Sequence, residues 1–380
     1  MLKKYQIYKP SFDEKERNSI WSTLKSNWLV NGPKTLKFEN QIKKNLKTKN
    51  AIAVNSCTSG LFVALHAIGL KKGDEVITTP LTFVSTIHNL YNYGLKIKLI
   101  DINMEDLSID LDVLKKNISK KTKCILVNHY GGIPAKIDEI IPFCKKKKIK
   151  VIEDAATALG AKLGNKKIGS FDNTITVFSL QVNKIITTGE GGIITTNDNK
   201  IAKKIRLLAS CGRIFQKNSW KYKVPTYGFK FNFTDMQAAL GLEQLKKLNK
   251  IQKYRRKLRL LYNKQFQNLI NKNILKIQNL SYKKKFSEYI YTIILNEKKI
   301  KFKRDNLMNF LKKRGIETTV HYIPANKIDF YKKSFKKYKL KNSDYVYKNI
   351  ISLPFHNKLK SKDIIYISNI INNFINNKIY

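Results

Sequence analysis

Seven short apolar runs rich in Ile and Val lie between Asn50 and Asp198, and they restrict the fold more than any other feature of this 380-residue chain. They are Ala51–Asn55, Glu75–Thr79, Ile97–Ile102, Cys124–His129, Val151–Asp154, Thr174–Ser179 and Gly192–Thr196. The runs are apolar on both faces, and helical patterns such as Leu61–Ile68 and Ile137–Lys147 separate several of them. A mostly parallel sheet covered on both sides buries such strands, which predicts an α/β fold with a seven-stranded sheet sandwiched by helices. A long helix then opens at Thr234-Asp235-Met236-Gln237, where Thr234 caps and Gln237 bonds back, and runs toward Leu269. Beyond it the pattern predicts a strand over Tyr289–Leu295, a helix over Asp305–Lys313, a strand over Thr318–Tyr322 and a terminal helix over Lys362–Asn376. The length exceeds the usual single domain. The expected division is therefore 1–250 for a large domain with its N-terminal segment and 251–380 for a smaller α+β domain.

The formal net charge is +47, from 74 Lys and Arg against 27 Asp and Glu. Taken alone that would favour nucleic acid or an anionic surface as partner. The excess is nearly all Lys, spread over every segment and accompanied by abundant Asn and Ile, and no aromatic-interleaved basic motif occurs. Runs such as Lys145–Lys148 and Lys283–Lys285 are expected to be solvated, with no nucleic-acid partner. Cys57, Cys124, Cys144 and Cys211 are far apart and form no C-x-x-C pair, which predicts reduced thiols and no metal site. The N-terminus has no long apolar core and no stretch of eighteen apolar residues occurs. A cytoplasmic protein without membrane contact is the expectation.

The chemistry begins at Phe178–Gly192, which places Lys184 between an apolar strand and a glycine turn. About thirty residues earlier, Val151–Ala156 ends a strand in Glu153 and Asp154. An amine and a carboxylate at neighbouring strand ends are what pyridoxal 5'-phosphate (PLP) requires, the amine for a Schiff base and the carboxylate to keep the pyridine nitrogen protonated. Three further elements suit a flat phosphorylated ring. Asn55–Gly60 leads from a strand into an apolar helix, giving an anion site at a helix N-terminus. Phe83, in Thr79–Phe83, lies just past a strand where it can stack, and Ser179 ends the strand before Lys184.

These motifs resemble the DegT/StrS family of PLP-dependent nucleotide-sugar aminotransferases, which have the aspartate-aminotransferase-like fold, fold type I. The resemblance extends over nearly the whole chain. It takes in Trp28–Pro33, Gly73–Ile77, Glu153–Ala156, Lys184 with Thr187–Gly192, Gly228–Asn232, His321–Pro324 and Ser352–Pro354. It implies that Lys184 carries PLP covalently, that Asp154 bonds the pyridinium and that Phe83 stacks on the ring. Thr58, Ser59 and Ser179 would bind the phosphate, and Thr157 would stand near the phenolic oxygen. Lys230 and Asn232 would act from a partner subunit in a homodimer with shared active sites, while Trp28, His321 and Tyr322 would meet substrate.

The chain departs from the family at several positions. Thr157 replaces a His or Gln, and Leu180-Gln181-Val182 replaces Phe-His-Pro. Asn326 falls near an expected second His, and Cys211 replaces a His before Gly212. Retention of Lys184 separates the chain from relatives with His there, which act as sugar dehydratases. The implied function is amino transfer from L-glutamate to a nucleotide-linked keto-sugar, a 4-keto-6-deoxy hexose, for surface polysaccharide or lipopolysaccharide. A 3-keto-sugar aminotransferase shares every core residue, and a non-catalytic basic binding protein is the alternative of a different class. Sugar choice is assigned to loops such as Gln216–Pro225 and Tyr322–Phe330.

Overall fold

A computed structural model of the protein describes residues 3–216, 219–278 and 284–379. All seven expected runs form strands: β1 (Asn50–Val54), β2 (Glu75–Thr78), β3 (Lys96–Leu99), β4 (Thr122–Asn128), β5 (Lys150–Asp154), β6 (Thr174–Ser179) and β7 (Gly192–Thr196). They make one sheet in the order β1-β7-β6-β5-β4-β2-β3, in which β7 alone runs against its neighbours. Successive side chains of each strand enter opposite cores, which is why the runs show no polar face. Val151, Phe178 and Ile193 join one core. Ile152, Val177 and Ile194 join the other, with Leu61, Ala64 and Leu65 of the helix Cys57–Ala67.

This alternation positions the chemistry. Asp154 follows Ile152 by two residues and Ser179 follows Val177 by two, so both point to the face covered by the helix Cys57–Ala67. They stand at the carboxyl ends of β5 and β6, which are parallel neighbours pairing Asp154 with Val177. Ligands of open α/β sheets collect at such strand ends.

The long helix spans Asp235–Asn271 and begins as the sequence predicts. The Thr234 amide donates to Gln237 Oε1 at 2.9 Å and the Gln237 amide to Thr234 Oγ1 at 3.1 Å. Its first half sends Leu245, Leu248 and Ile251 into the first core. Its second half sends Leu258, Tyr262, Phe266 and Leu269 into a separate core built on the antiparallel strands β8 (Leu275–Ile277), β9 (Tyr291–Leu295) and β10 (Ile350–Leu353). Helices Arg304–Lys312 and Ser361–Asn376 complete that core.

Two expectations fail. Thr318–Tyr322 is not a strand; one isolated bridge, Thr319 with Ser352, is its only ladder contact among the described residues. The Tyr130 hydroxyl takes the His321 carbonyl and the His321 ring takes Ser352, which diverts the chain from regular pairing. In the run Lys283–Lys285, Lys283 lies outside the described residues and Lys284 is not solvated. Its ammonium meets Asp106 at 2.6 Å with both side chains buried. Lys145–Lys148 are exposed, as expected.

The buried His356, just past β10, leads to a pH prediction. Its ring is 4% exposed, and Nδ1 accepts the Lys358 amide at 3.3 Å. Burial, helped by the Arg255 charge, holds its pKa down at about 4. An unfolded chain takes up this proton below pH ~6.5. The contribution to stability is therefore complete above that pH and disappears between it and about pH 4, amounting to at most about 3 kcal/mol. Chemical denaturation at a series of pH values should show His356→Asn with a shallower loss than the parent over this window; equal slopes would refute the assignment.

Candidate active site

A cavity of about 610 Å³ opens at the carboxyl ends of β4, β5 and β6. It gathers Thr58, Phe83, Asp154, Thr157, Ser179, Lys184, His321 and Tyr322, eight of the residues singled out in the sequence. Asp154 is 4% exposed. Its Oδ2 accepts the Thr86 hydroxyl at 2.6 Å and its Oδ1 the Ala156 amide at 3.1 Å. Glu153, one residue earlier, faces the opposite way; it accepts from His129 Nε2 at 2.8 Å and from the Thr176 hydroxyl at 2.7 Å. The pleat thus turns Asp154, and not Glu153, toward the cavity. The Lys184 ammonium approaches the Tyr289 hydroxyl at 3.4 Å and lies 4.8 Å from that ring's centroid.

The helix Cys57–Ala67 supplies the anion end. Ser56 caps it, its hydroxyl accepting the Ser59 amide at 3.0 Å and lying 2.9 Å from the Ser59 hydroxyl. Ser56, Cys57 and Thr58 line the cavity, whereas the Ser59 side chain is occupied with its cap. Burial, with the Asp154 charge adding to it, pushes the Cys57 thiol well up, so it remains a thiol. Thr157 donates to the His129 carbonyl at 2.9 Å and keeps only acceptor capacity for the cavity. The Ser179 hydroxyl accepts the Gln181 amide at 3.3 Å and stays available as a donor.

Phe83 is 55% exposed and meets the Tyr322 ring edge-on, 6.0 Å between centroids. His321 Nδ1 lies 2.7 Å from the Ser352 hydroxyl, and burial with the nearby Lys184 charge holds its pKa at about 4. At neutral pH the cavity therefore contains a neutral imidazole. Burial also raises the Tyr322 hydroxyl well above its ordinary range.

Trp28, Lys230 and Asn232 do not line this cavity. Trp28 is 57% exposed beside Gly32. Lys230 is exposed and bridges Ser210, while Asn232 bridges Val54 and its Oδ1 is buried without a partner. Asn128, Asn183, Thr86 and Tyr289 were not foreseen as site residues. Tyr289 opens a predicted strand and Thr86 sits in the helix Val84–Asn92, and neither position carries a local signal of chemistry.

The residues fit PLP. A buried carboxylate, an amine, an exposed aromatic face and a hydroxyl-rich helix N-terminus share one cavity, and the buried Asn183 Oδ1 on its wall has no partner.

Residues 10–372 match the DegT/DnrJ/EryC1/StrS aminotransferase family. The spore coat polysaccharide biosynthesis protein SpsC of Bacillus subtilis is 35% identical over 365 residues, covering 93% of each chain. The UDP-4-amino-4,6-dideoxy-N-acetyl-beta-L-altrosamine transaminase of Campylobacter jejuni is 33% identical over 360 residues, covering 94% of each. Among solved structures, Helicobacter pylori PseC, described as an aminotransferase involved in the biosynthesis of pseudoaminic acid, superposes with a TM-score of 0.93 at 30% identity. That match covers 99% of this chain and 100% of the other.

Proposed function

Because the chain belongs to the DegT/DnrJ/EryC1/StrS aminotransferase family, whose aminotransferases depend on PLP, we propose that it moves an amino group from L-glutamate to a nucleotide-linked 4-keto-6-deoxy hexose. The product is an amino sugar for a surface polysaccharide, made in the cytoplasm. The Campylobacter relative, named for a 4-amino-4,6-dideoxy sugar, supports this choice over other keto-sugars. The observation that carries the proposal is the meeting of Lys184, Asp154 and the Ser56-capped helix in one cavity.

Bound PLP supplies a carbonyl that condenses with amines and a ring that accepts electrons. Lys184 would be the residue that holds it covalently, and its amine, when free, would be the acid–base group that carries the donor's Cα proton. Asp154 would be the carboxylate that keeps the ring nitrogen protonated. The helix N-terminus, with Thr58 and Ser179, would hold the phosphate, and Phe83 would cover one face of the ring. His321 and Tyr322 meet the sugar, and the neutral imidazole adds no charge there. No helix among the described residues is long and apolar enough to cross a membrane.

Charge argues for a second copy. Lys184 is the sole Lys or Arg lining the cavity among the described residues, against Asp154 and Glu190. A cofactor phosphate and a nucleotide diphosphate need more positive charge than one amine and a helix end worth roughly half a charge. Lys230 and Asn232 lie on the segment that follows an exposed apolar stretch containing Phe215, Trp220 at 82% exposure, Val224 and Tyr227. A partner copy covering that stretch would receive Lys230 and Asn232, with Trp28, at its own cavity. The division at residue 250 is likewise proposed, since the long helix changes core between Ile251 and Leu258.

Incubating the holoprotein with glutamate and a panel of UDP-, GDP- and dTDP-keto-sugars should give one amino sugar by mass spectrometry; no product from any of them would end the proposal. Mixing Lys184→Ala subunits with subunits altered at both Lys230 and Asn232 should restore activity to otherwise inactive proteins. One site of each heterodimer then has an intact lysine and an intact partner segment. No recovery in mixtures shown to exchange subunits would rule out shared sites.

A further inference from the structure

We propose that Tyr289 is a positioning residue for the Lys184 amine, and that buried Arg255, Arg259 and Glu288 hold it in place; this rests on the reading of Lys184 as the cofactor-linking residue. Lysine carries its amine on a flexible four-carbon stem. An amine that must leave the cofactor, move a proton and return needs a fixed position between those events. Tyr289 provides one. It is 5% exposed, its hydroxyl accepts from Lys184 Nζ at 3.4 Å, and its ring face lies 4.8 Å from the same nitrogen. A bond donated by the amine leaves the nitrogen lone pair free for the reacting carbon.

The support for Tyr289 is more elaborate than packing requires. Glu288 has φ +54°, in the left-handed region that side chains rarely adopt, and this turn precedes Tyr289 immediately. The Glu288 carboxylate meets Arg259 Nε at 2.6 Å, with the two side chains 2% and 3% exposed. Arg259 Nη2 donates to the Ile290 carbonyl at 2.6 Å. Arg255 Nη1 donates to the Glu288 and Tyr289 carbonyls at 3.4 Å each. Two guanidinium groups from one helix therefore grip three consecutive carbonyls around Tyr289. Burial lowers Arg255 to about 10, which leaves it charged at neutral pH. Buried ion pairs are a poor source of stability compared with well-packed apolar residues. Two buried cations against one carboxylate are better explained by the position they impose.

When apoprotein meets PLP, the Lys184 amine condenses with the aldehyde, forming one C=N bond and releasing one water. In stopped flow this is expected as rapid binding followed by a slower rise near ~420 nm, from general PLP chemistry. In Tyr289→Phe, which keeps the ring and loses the hydroxyl, the slower phase should fall about tenfold or more, the scale of loss for a misplaced reacting group. Rapid binding and the melting temperature should not change. The kinetic isotope effect on kcat with Cα-deuterated glutamate should rise, with KM little altered. Glu288→Gln should show the same pattern more weakly; if it does not fold, Tyr289→Phe decides alone. A Tyr289→Phe protein with wild-type capture rate and isotope effect would overturn the positioning role. A wild-type protein that never develops the band would instead overturn the assignment of Lys184.

Discussion

Lys184→Ala is expected to fold, to bind PLP without linking to it, and to lose at least about three decades of transamination rate, the upper range for a positioned acid–base group. Three decades correspond to about 4 kcal/mol of transition-state stabilisation. Two losses combine in this one substitution. The cofactor has no covalent tether, and no base remains at the carbon whose proton must move. The fold should tolerate the change, because the amine makes one long hydrogen bond, at 3.4 Å, and the stem is only partly buried. Surface-like truncations of this kind shift stability by roughly 0.5 kcal/mol. The check is an absorbance spectrum with added PLP and a glutamate half-reaction followed by mass spectrometry. A rate near wild type would remove Lys184 from the mechanism. Lys184→Arg should fail equally, since a guanidinium stays protonated and forms no Schiff base at neutral pH.

Much of this was legible in the sequence because the signals are local. A strand buried on both faces writes its burial into consecutive residues, as in Val151–Asp154, and a capping box spans four positions, as in Thr234–Gln237. The two ends of the chemistry, Asp154 and Lys184, each lie beside such a signal. What escaped is what the fold brings together from afar. Tyr289 stands 105 residues from Lys184, and the Tyr130 hydroxyl meets a carbonyl 191 residues away. No periodicity encodes such contacts. The Thr318–Tyr322 expectation failed for the same reason: its composition suits a strand, but Tyr130 and Ser352 claim its polar groups. Lys284 failed because a lysine in a basic run looks solvated until Asp106, 178 residues away, is placed beside it.

Asp154→Asn separates the electrostatic role of the carboxylate from its structural one, because the hydrogen bonds can be rearranged without loss. Asn can keep its Oδ1 on the Ala156 amide. Its Nδ2 can then donate to Thr86 Oγ1, and the Thr86 hydroxyl, released from donating to Asp154, can donate to Thr82 Oγ1, 3.2 Å away, while the Thr82 hydroxyl, which now donates to Thr86, turns to the cavity it lines. Every polar atom of the buried group retains a partner, so stability should change by no more than about 1 kcal/mol, the net worth of one ordinary hydrogen bond. The charge does not survive. A neutral amide no longer favours the protonated pyridine ring, so the ring's pull on electrons weakens at the moment Lys184 takes the Cα proton. Turnover should drop by several decades, each worth about 1.4 kcal/mol, while the protein still retains PLP on gel filtration. Thermal melting and single-turnover kinetics on the same sample distinguish the two contributions. A loss of less than about tenfold, on the same scale, with normal melting would mean that Asp154 serves the cavity wall and not the ring.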